Sequence, residues 1–505
     1  MKTKVFHLGF TAFTLAAASL GVAQAQNLRI GLQDDPDTLD PHRARTYVSR
    51  IVFTSLCDKL VDIDGNLNFV PQLATGWEWS DDGKTLTFKL REDATFHDGT
   101  KFDAQAARAN LIRATTMPES LRKGELGSVA EVQAPDATTL VLKLKQPDAT
   151  LIAQLSDRAG MMISPKTFDD TAKAGRSPVC SGPYKFVDRV QNDRIVLERY
   201  AAHHRAADYH FDRLTFLPIP DTTVRLANLR AGSLDIIERM NPSDLPQVQG
   251  DASVQLKNVA GLGWARVVFN VGNGERAKGP FGTDKRVREA FELAIDRHII
   301  NEVVGNGLFT PARQPFSPAS PYNDPQKFPV PARAVAKAKA LLKAAGHERV
   351  KMELVFGNTT ATAAIAEMIQ AMAAEAGFDL SLRPTEFAAM QKEAVAGNFD
   401  LMLINWSGRV DPDGNIYSFM TCKGALNDGR YCNPKVDELL TQARTVADVA
   451  ARKALYDQAQ DMILNDERPI MYLYYQPLPF AVSSKVKGFD PYPDGMIRLP
   501  GVTKS

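Results

Sequence analysis

Residues 71–100 read PQLATGWEWSDDGKTLTFKLREDATFHDGT, where Leu86, Phe88 and Leu90 alternate with Thr87, Lys89 and Arg91 in the two-residue period of a half-buried strand. Asp82-Gly83 supplies a hairpin turn between 77–79 and that strand. His97-Asp98-Gly99 marks a second turn. Gly83-Lys84-Thr85 has the ending of a phosphate loop, but Glu78 stands where the first glycine belongs, so the hairpin is the better reading.

Outward from this hairpin, further strands fall at 28–32, at Leu140, Leu142 and Leu144, and at 351–356 and 399–405. Helices are interleaved. Asp103 and Asp221 are caps ahead of amphipathic runs, and Asp284 opens a helix with Val287, Phe291 and Ala294 on one face. Pro331 opens an Ala/Lys-rich helix that ends at Gly346. Later helices follow Asn433-Pro434 and Asp448. Interleaved strands and helices give an α/β class. At 505 residues the chain is too long for one typical core, so several packed units are expected. The balance of 60 Lys+Arg against 59 Asp+Glu argues against a dedicated nucleic-acid binder.

The chain opens with Lys2 and Lys4, continues apolar over 5–22, and reaches Ala23-Gln24-Ala25, an A-x-A cleavage pattern. This predicts a cleavable secretory signal over 1–25 and an exported mature chain. In an exported protein four cysteines pair in one of three ways. Cys422 and Cys432 share a short turn-rich loop and are expected to bond to each other, leaving Cys57 and Cys180 as the second pair. No C-x-x-C, H-E-x-x-H, G-x-S-x-G or Walker A pattern occurs. His203-His204 is an isolated pair read as structural rather than metal-ligating, and no metal or other cofactor is expected.

Several further stretches are similar to bacterial extracellular solute-binding protein family 5, the peptide, nickel and opine carriers of ABC importers. Asp37-Thr38-Leu39-Asp40-Pro41-His42 resembles the family's opening loop, and the hairpin of 71–100 is the most specific segment of the resemblance. Ser181-Gly182-Pro183-Tyr184, Ala231-Gly232-Ser233-Leu234-Asp235-Ile236, Phe269-Asn270, Arg286-Val287-Arg288-Glu289-Ala290 and Asn405-Trp406 follow in family order. The resemblance implies a two-lobed periplasmic-binding-protein fold of the class II type, with an extra subdomain in the first lobe. Residues 26–266 plus 478–505 would form lobe 1 and 267–477 lobe 2, with crossovers near 265–270 and 472–480. It also implies a monomer that carries a small molecule or short peptide to an inner-membrane ABC permease, without chemistry of its own. An opine or metal-chelate carrier and an exported hydrolase are the competing readings.

The polar, glycine-bearing segment 405–414 follows an apolar strand and is expected to reach the cleft, with Trp406, Ser407, Arg409 and Asp411 as ligand-binding candidates. In the dipeptide-binding branch an acid that holds the ligand ammonium is expected about where Arg409 stands. A guanidinium instead forks onto a carboxylate or phosphate. The competing role for Arg409 is to pair with Asp411 or Asp413 and brace the loop. Trp264 beside Gly261 and Gly263, Asn270, Tyr474 and Tyr47 complete the candidate set. Alternate strand residues point opposite ways, so one of Tyr474 and Tyr475 would face the cleft, and the resemblance selects Tyr474.

Overall fold

The hairpin opens a four-stranded antiparallel sheet in the order Ala74–Trp79, Thr85–Leu90, Thr139–Leu144, Val129–Gln133. In this computed structural model, which describes residues 26–505, the signal expected over 1–25 lies outside the described residues. Leu86, Phe88, Leu140 and Leu142 are fully buried on the inner face of the sheet. They share an apolar core with Phe96, Phe102 and Leu111 of helix Ala104–Thr116. Asp103 caps that helix, its carboxylate accepting from Ala106 N at 2.8 Å, which satisfies one of the orphan donors of the first turn.

A second, mixed sheet spans the molecule. Its order is Phe378–Thr385, Val350–Gly357, Leu401–Trp406, Val254–Phe269, Ile470–Ser483, Ile236–Ile237, Asn27–Leu32, Arg213–Pro218, Arg194–Arg199, Tyr184–Val190. Strands Val254–Phe269 and Ile470–Ser483 run antiparallel at its centre. At 16 and 14 residues they far exceed the usual 5–6 or so, and each serves two cores. Leu478, Phe480 and Val482 pack with Leu28, Phe53 and Phe216, whereas Ala265, Val267, Met471 and Leu473 pack with Phe291, Leu354 and Leu401. Two lobes therefore share one pair of strands.

The ladder between these strands is interrupted between Ala260 and Trp264. A Cβ on Gly263 would lie 2.1 Å from the carbonyl oxygen of Trp406, so only glycine permits this approach of backbone to backbone. A second shift of the ladder falls between Ala265 and Arg266, at the start of the 265–270 segment expected for the first crossover.

One helix start also differs from expectation. The Ala/Lys-rich helix is Val335–Ala344 and does not begin at Pro331. Ala334 is non-helical, at φ −143° and ψ 73°, and its N–H donates to Leu293 O at 2.8 Å, which ties the lead-in segment to helix Lys285–Ala294. Disulfides join Cys57 to Cys180 and Cys422 to Cys432. No helix among the described residues is long and apolar enough to cross a membrane.

Candidate functional site

The lobes meet at a seam that encloses a cavity of about 20 Å³, room for roughly one water. Arg50 and Asp157 line it from the first lobe, and Arg409, Asp411 and Gly414 from the second. A larger depression of about 840 Å³ lies on the outer flank of the second lobe. Its charges pair locally, Arg276 with Glu353 at 2.9 Å and with Asp400 at 3.4 Å, as expected of solvated surface.

The second-lobe wall is the segment between strand Leu401–Trp406 and helix Asp413–Met420. Asn415, on that helix, fixes its shape. The Asn415 Oδ1 accepts from Trp406 Nε1 at 2.9 Å and from Arg409 N at 2.8 Å, while its Nδ2 donates to Arg409 O at 2.9 Å. The Arg409 guanidinium lies 4.3 Å from the centre of the Trp406 ring, a cation–π arrangement. Its Nη1 donates to Gly408 O at 2.7 Å and to Ser407 Oγ at 3.3 Å. Gly414 leaves the room it occupies, since a Cβ there would lie 2.7 Å from Arg409 Cβ and Cγ.

Arg409 pairs with neither Asp411 nor Asp413, the brace that the sequence offered as its alternative role. Arg452 holds Asp411 with two bonds of 2.7 Å. Arg444 stands 3.3 Å from Asp413. Burial, helped by the neighbouring Asp411 carboxylate, pushes the Asp413 carboxyl up to about 7 against the opposing effect of Arg444. The partner of Arg409 lies across the seam, with Nε 3.8 Å from Asp157 Oδ2.

On the first-lobe wall, Arg50 projects from helix Tyr47–Leu56, which Thr46 caps. Its Nε and Nη2 grip the two oxygens of Asp157 at 3.1 and 3.0 Å. Burial works to raise the Asp157 carboxyl, but Arg50, Arg158 and Arg409 hold it well below the usual carboxylate range. Arg158 and Arg122 both donate to Ala44 O, at 2.7 and 3.3 Å, and Arg122 also pairs with Glu125. Burial and the like charge of Arg122 lower Arg158 to about 9, and burial and Arg50 lower Arg409 to about 10.

The remaining candidates lie elsewhere. Trp264 is fully buried in the second lobe, edge-on to Phe419 and Tyr472, because the bulge turns it into the core. Asn270 is a buried peg whose Nδ2 donates to the carbonyls of Asn273, Gly397 and Phe399. Tyr474 stacks on Phe309 at 4.1 Å, and the Tyr475 hydroxyl donates to Gln314 O at 3.1 Å. Both tyrosines are buried because the second lobe covers both faces of their strand, so neither lines the cavity. The half-buried Tyr47 donates its hydroxyl to Gly495 O at 2.9 Å and carries Arg239 over its ring. Sequence reading passed over Arg50, Arg122, Asp157, Arg158 and Asn415. Only Asn415, so close to the polar segment, was within reach of a local signal.

His203 and His204 converge with Asp58, both Nε2 atoms lying within 3.0 Å of one carboxylate oxygen. The N–H of Arg205 donates to His203 Nδ1, which assigns the ring proton to Nε2 and makes His203 a donor to Asp58. These bonds oppose the effect of burial and hold Asp58 down at about 2. The trio is a hydrogen-bonded tie within the first lobe.

Residues 68–427 match the model of bacterial extracellular solute-binding proteins, family 5. The glutathione-binding protein GsiB of Escherichia coli O6:K15:H31 is 29% identical, with 98% of each chain covered. A dipeptide-binding protein of Pseudoalteromonas sp. SM9913, determined with Met-Leu, superposes at a TM-score of 0.85, with 22% identity over 95% of this chain and all of that one. The periplasmic binding protein DppA of Helicobacter pylori, determined with the peptide STSA, superposes at 0.84, with 23% identity over 95% of this chain and 98% of that one. At these identities the structural likeness shows a shared two-lobed fold.

Proposed function

The chain belongs to bacterial extracellular solute-binding protein family 5, and from that premise we propose that it captures a peptide or peptide-like anion between its lobes and delivers it to an ABC permease of the inner membrane. It acts in the periplasm as a monomer, exported by the signal over residues 1–25. The observation that carries this reading is the seam itself, where Arg409 reaches from one lobe toward Arg50 and Asp157 of the other. A site at a lobe interface is where ligands of this size usually bind. Arg409 offers the ligand a guanidinium fork, and Trp406 and Ser407, outside the cavity lining, hold that guanidinium in place. Asp411, saturated by Arg452, orients the loop.

A space of about 20 Å³ cannot take a peptide, so loading requires the lobes to separate. The hinge is the interrupted ladder between Ala260 and Trp264, with Pro477 and Tyr475 opposite. The lobes then close on contacts made only in the closed form. The relative named for glutathione, itself a tripeptide, and the two structures with bound peptides support the substrate class. A thermal-shift and calorimetry panel of glutathione, dialanine, trialanine, an opine and the nickel–histidine chelate tests it. At least one peptide should bind one-to-one. Binding of the opine or the chelate alone would overturn the peptide reading.

A further inference from the structure

The charges that converge on the seam do not balance. Arg50, Arg122, Arg158 and Arg409 contribute four guanidinium groups, and Asp157 and Glu125 contribute two carboxylates. The other nearby acids are matched except Asp148, which shares Arg444 with Asp413. Arg498 grips Asp494 through two bonds of 2.9 Å, and Arg498 and Lys59 share Asp62. Arg452 holds Asp411 and Arg444 stands against Asp413. The local surplus around Asp157 and Glu125 is therefore two positive charges, in a region where Arg50, Arg122 and Arg158 are each at most 6% exposed.

Unmatched charge out of water is strongly disfavoured. It appears here together with unmatched hydrogen-bond donors. Arg50 Nη1, Arg122 Nε and Arg158 Nε are buried without an acceptor among the described residues. Arg50 uses the other edge of its fork, Nε and Nη2, to hold Asp157, and it lines the cavity. An ammonium finds no comparable seat, since Asp157, Asp411 and Asp494 are each gripped by an arginine.

We propose that the solute captured at this seam carries two acidic groups, and that Arg50 Nη1 and Arg409, one from each lobe, bind them as the lobes close. The proposal rests on the reading of the seam as the binding site, and it narrows the substrate class from peptides to dianions, whether dicarboxylic peptides or phosphate-bearing solutes. Arginine suits this task because its planar fork binds a carboxylate or phosphate through two parallel bonds. Arg50 becomes the residue that selects ligand charge, and Arg122 and Arg158 supply the positive field behind it.

The test is calorimetry with matched tripeptides: trialanine carrying one Glu at each of the three positions in turn, and the three Gln counterparts. At least one Glu peptide should bind about 10-fold or more tighter than its Gln counterpart, the lower end of what a charged hydrogen bond supplies. Arg50→Gln should remove that preference, bringing the ratio of Glu-peptide to Gln-peptide affinity to within about threefold of unity. Equal binding of Glu and Gln peptides at all three positions would overturn the dianion inference while leaving peptide capture intact. If no peptide of either kind binds, peptide capture fails and inorganic phosphate decides the inference. Phosphate should then raise the melting temperature above that in chloride of matched ionic strength, and do so less in Arg50→Gln and Arg409→Ala. An equal response in all three proteins would overturn it. Arg409→Ala, which alters a partly exposed side chain, keeps the test valid if Arg50→Gln does not fold.

Discussion

The two walls of the seam are built from the same residue types and treat charge in opposite ways. On the second-lobe wall each acid stands beside a cation, Asp411 gripped by Arg452 and Asp413 3.3 Å from Arg444, although Asp413 Oδ1 accepts no hydrogen bond among the described residues. On the first-lobe wall Arg50, Arg122 and Arg158 crowd around Asp157 and Glu125, and each keeps an N–H without an acceptor. Arg409 belongs by sequence to the first kind of wall and by contact to the second. Internally matched charge holds a loop in shape, and unmatched buried charge marks where a ligand completes the structure.

The contrast can be broken first at its anchors. The helix that carries Arg50 ends at Cys57, and its bond to Cys180 closes a sequence separation of 123, against 10 for Cys422–Cys432. On the chain-entropy account the long loop contributes up to about 5 kcal/mol and the short one about 3 kcal/mol. Denaturant melts of the two double Cys→Ala variants should therefore rank the first well below the second. Equal losses would mean that the first wall does not depend on its staple.

Next come the matched pairs. Asp411→Asn leaves the buried Arg452 with a neutral partner and should cost about 3 kcal/mol of stability in a urea melt. Peptide affinity, measured by calorimetry on the folded fraction, should change only mildly. A severe loss of affinity with unchanged stability would instead make Asp411 the seat of a ligand ammonium. Arg409→Ala should do the reverse, leaving stability nearly unchanged and weakening peptide binding by about 1.5–3 kcal/mol. Arg409→Lys should recover only part of the loss, because the planar fork is gone.

The smallest effect sharpens the picture of the matched wall. Burial raises the Asp413 carboxyl to about 7 from an ordinary 3.8. A raised carboxyl binds its proton more tightly in the folded state, so its stabilising contribution is complete below the unfolded value. That contribution is lost as pH rises through about 7. Asp413→Asn carries no such dependence. Its melting temperature relative to wild type should therefore rise steadily from pH 4 to pH 7, and a flat difference would contradict the shift.

What could be read from the sequence was local. The alternation of Leu86, Phe88 and Leu90 and the cap at Asp103 need only near neighbours, and both are where the pattern put them. The segment around Arg409 was conspicuous because polar residues and glycine follow an apolar strand. Facing was harder to read. A bulge between Ala260 and Trp264 sends Trp264 into the core, and a strand covered on both faces hides Tyr474 and Tyr475 alike. The charge pairing that defines the walls was illegible, because its partners are far apart in sequence: Asp157 lies 107 residues from Arg50, and Arg452 lies 41 from Asp411. No local pattern records such meetings.

The most direct measurement is a crystal structure with the tightest-binding tripeptide of the Glu and Gln series. The lobes should be closed, with ligand carboxylates within about 3 Å of Arg50 Nη1 and of the Arg409 guanidinium. A bound peptide whose ammonium lies against Asp157 or Asp411, with both guanidinium groups turned away from it, would overturn the assignment of Arg50 and Arg409 as the anion-binding pair.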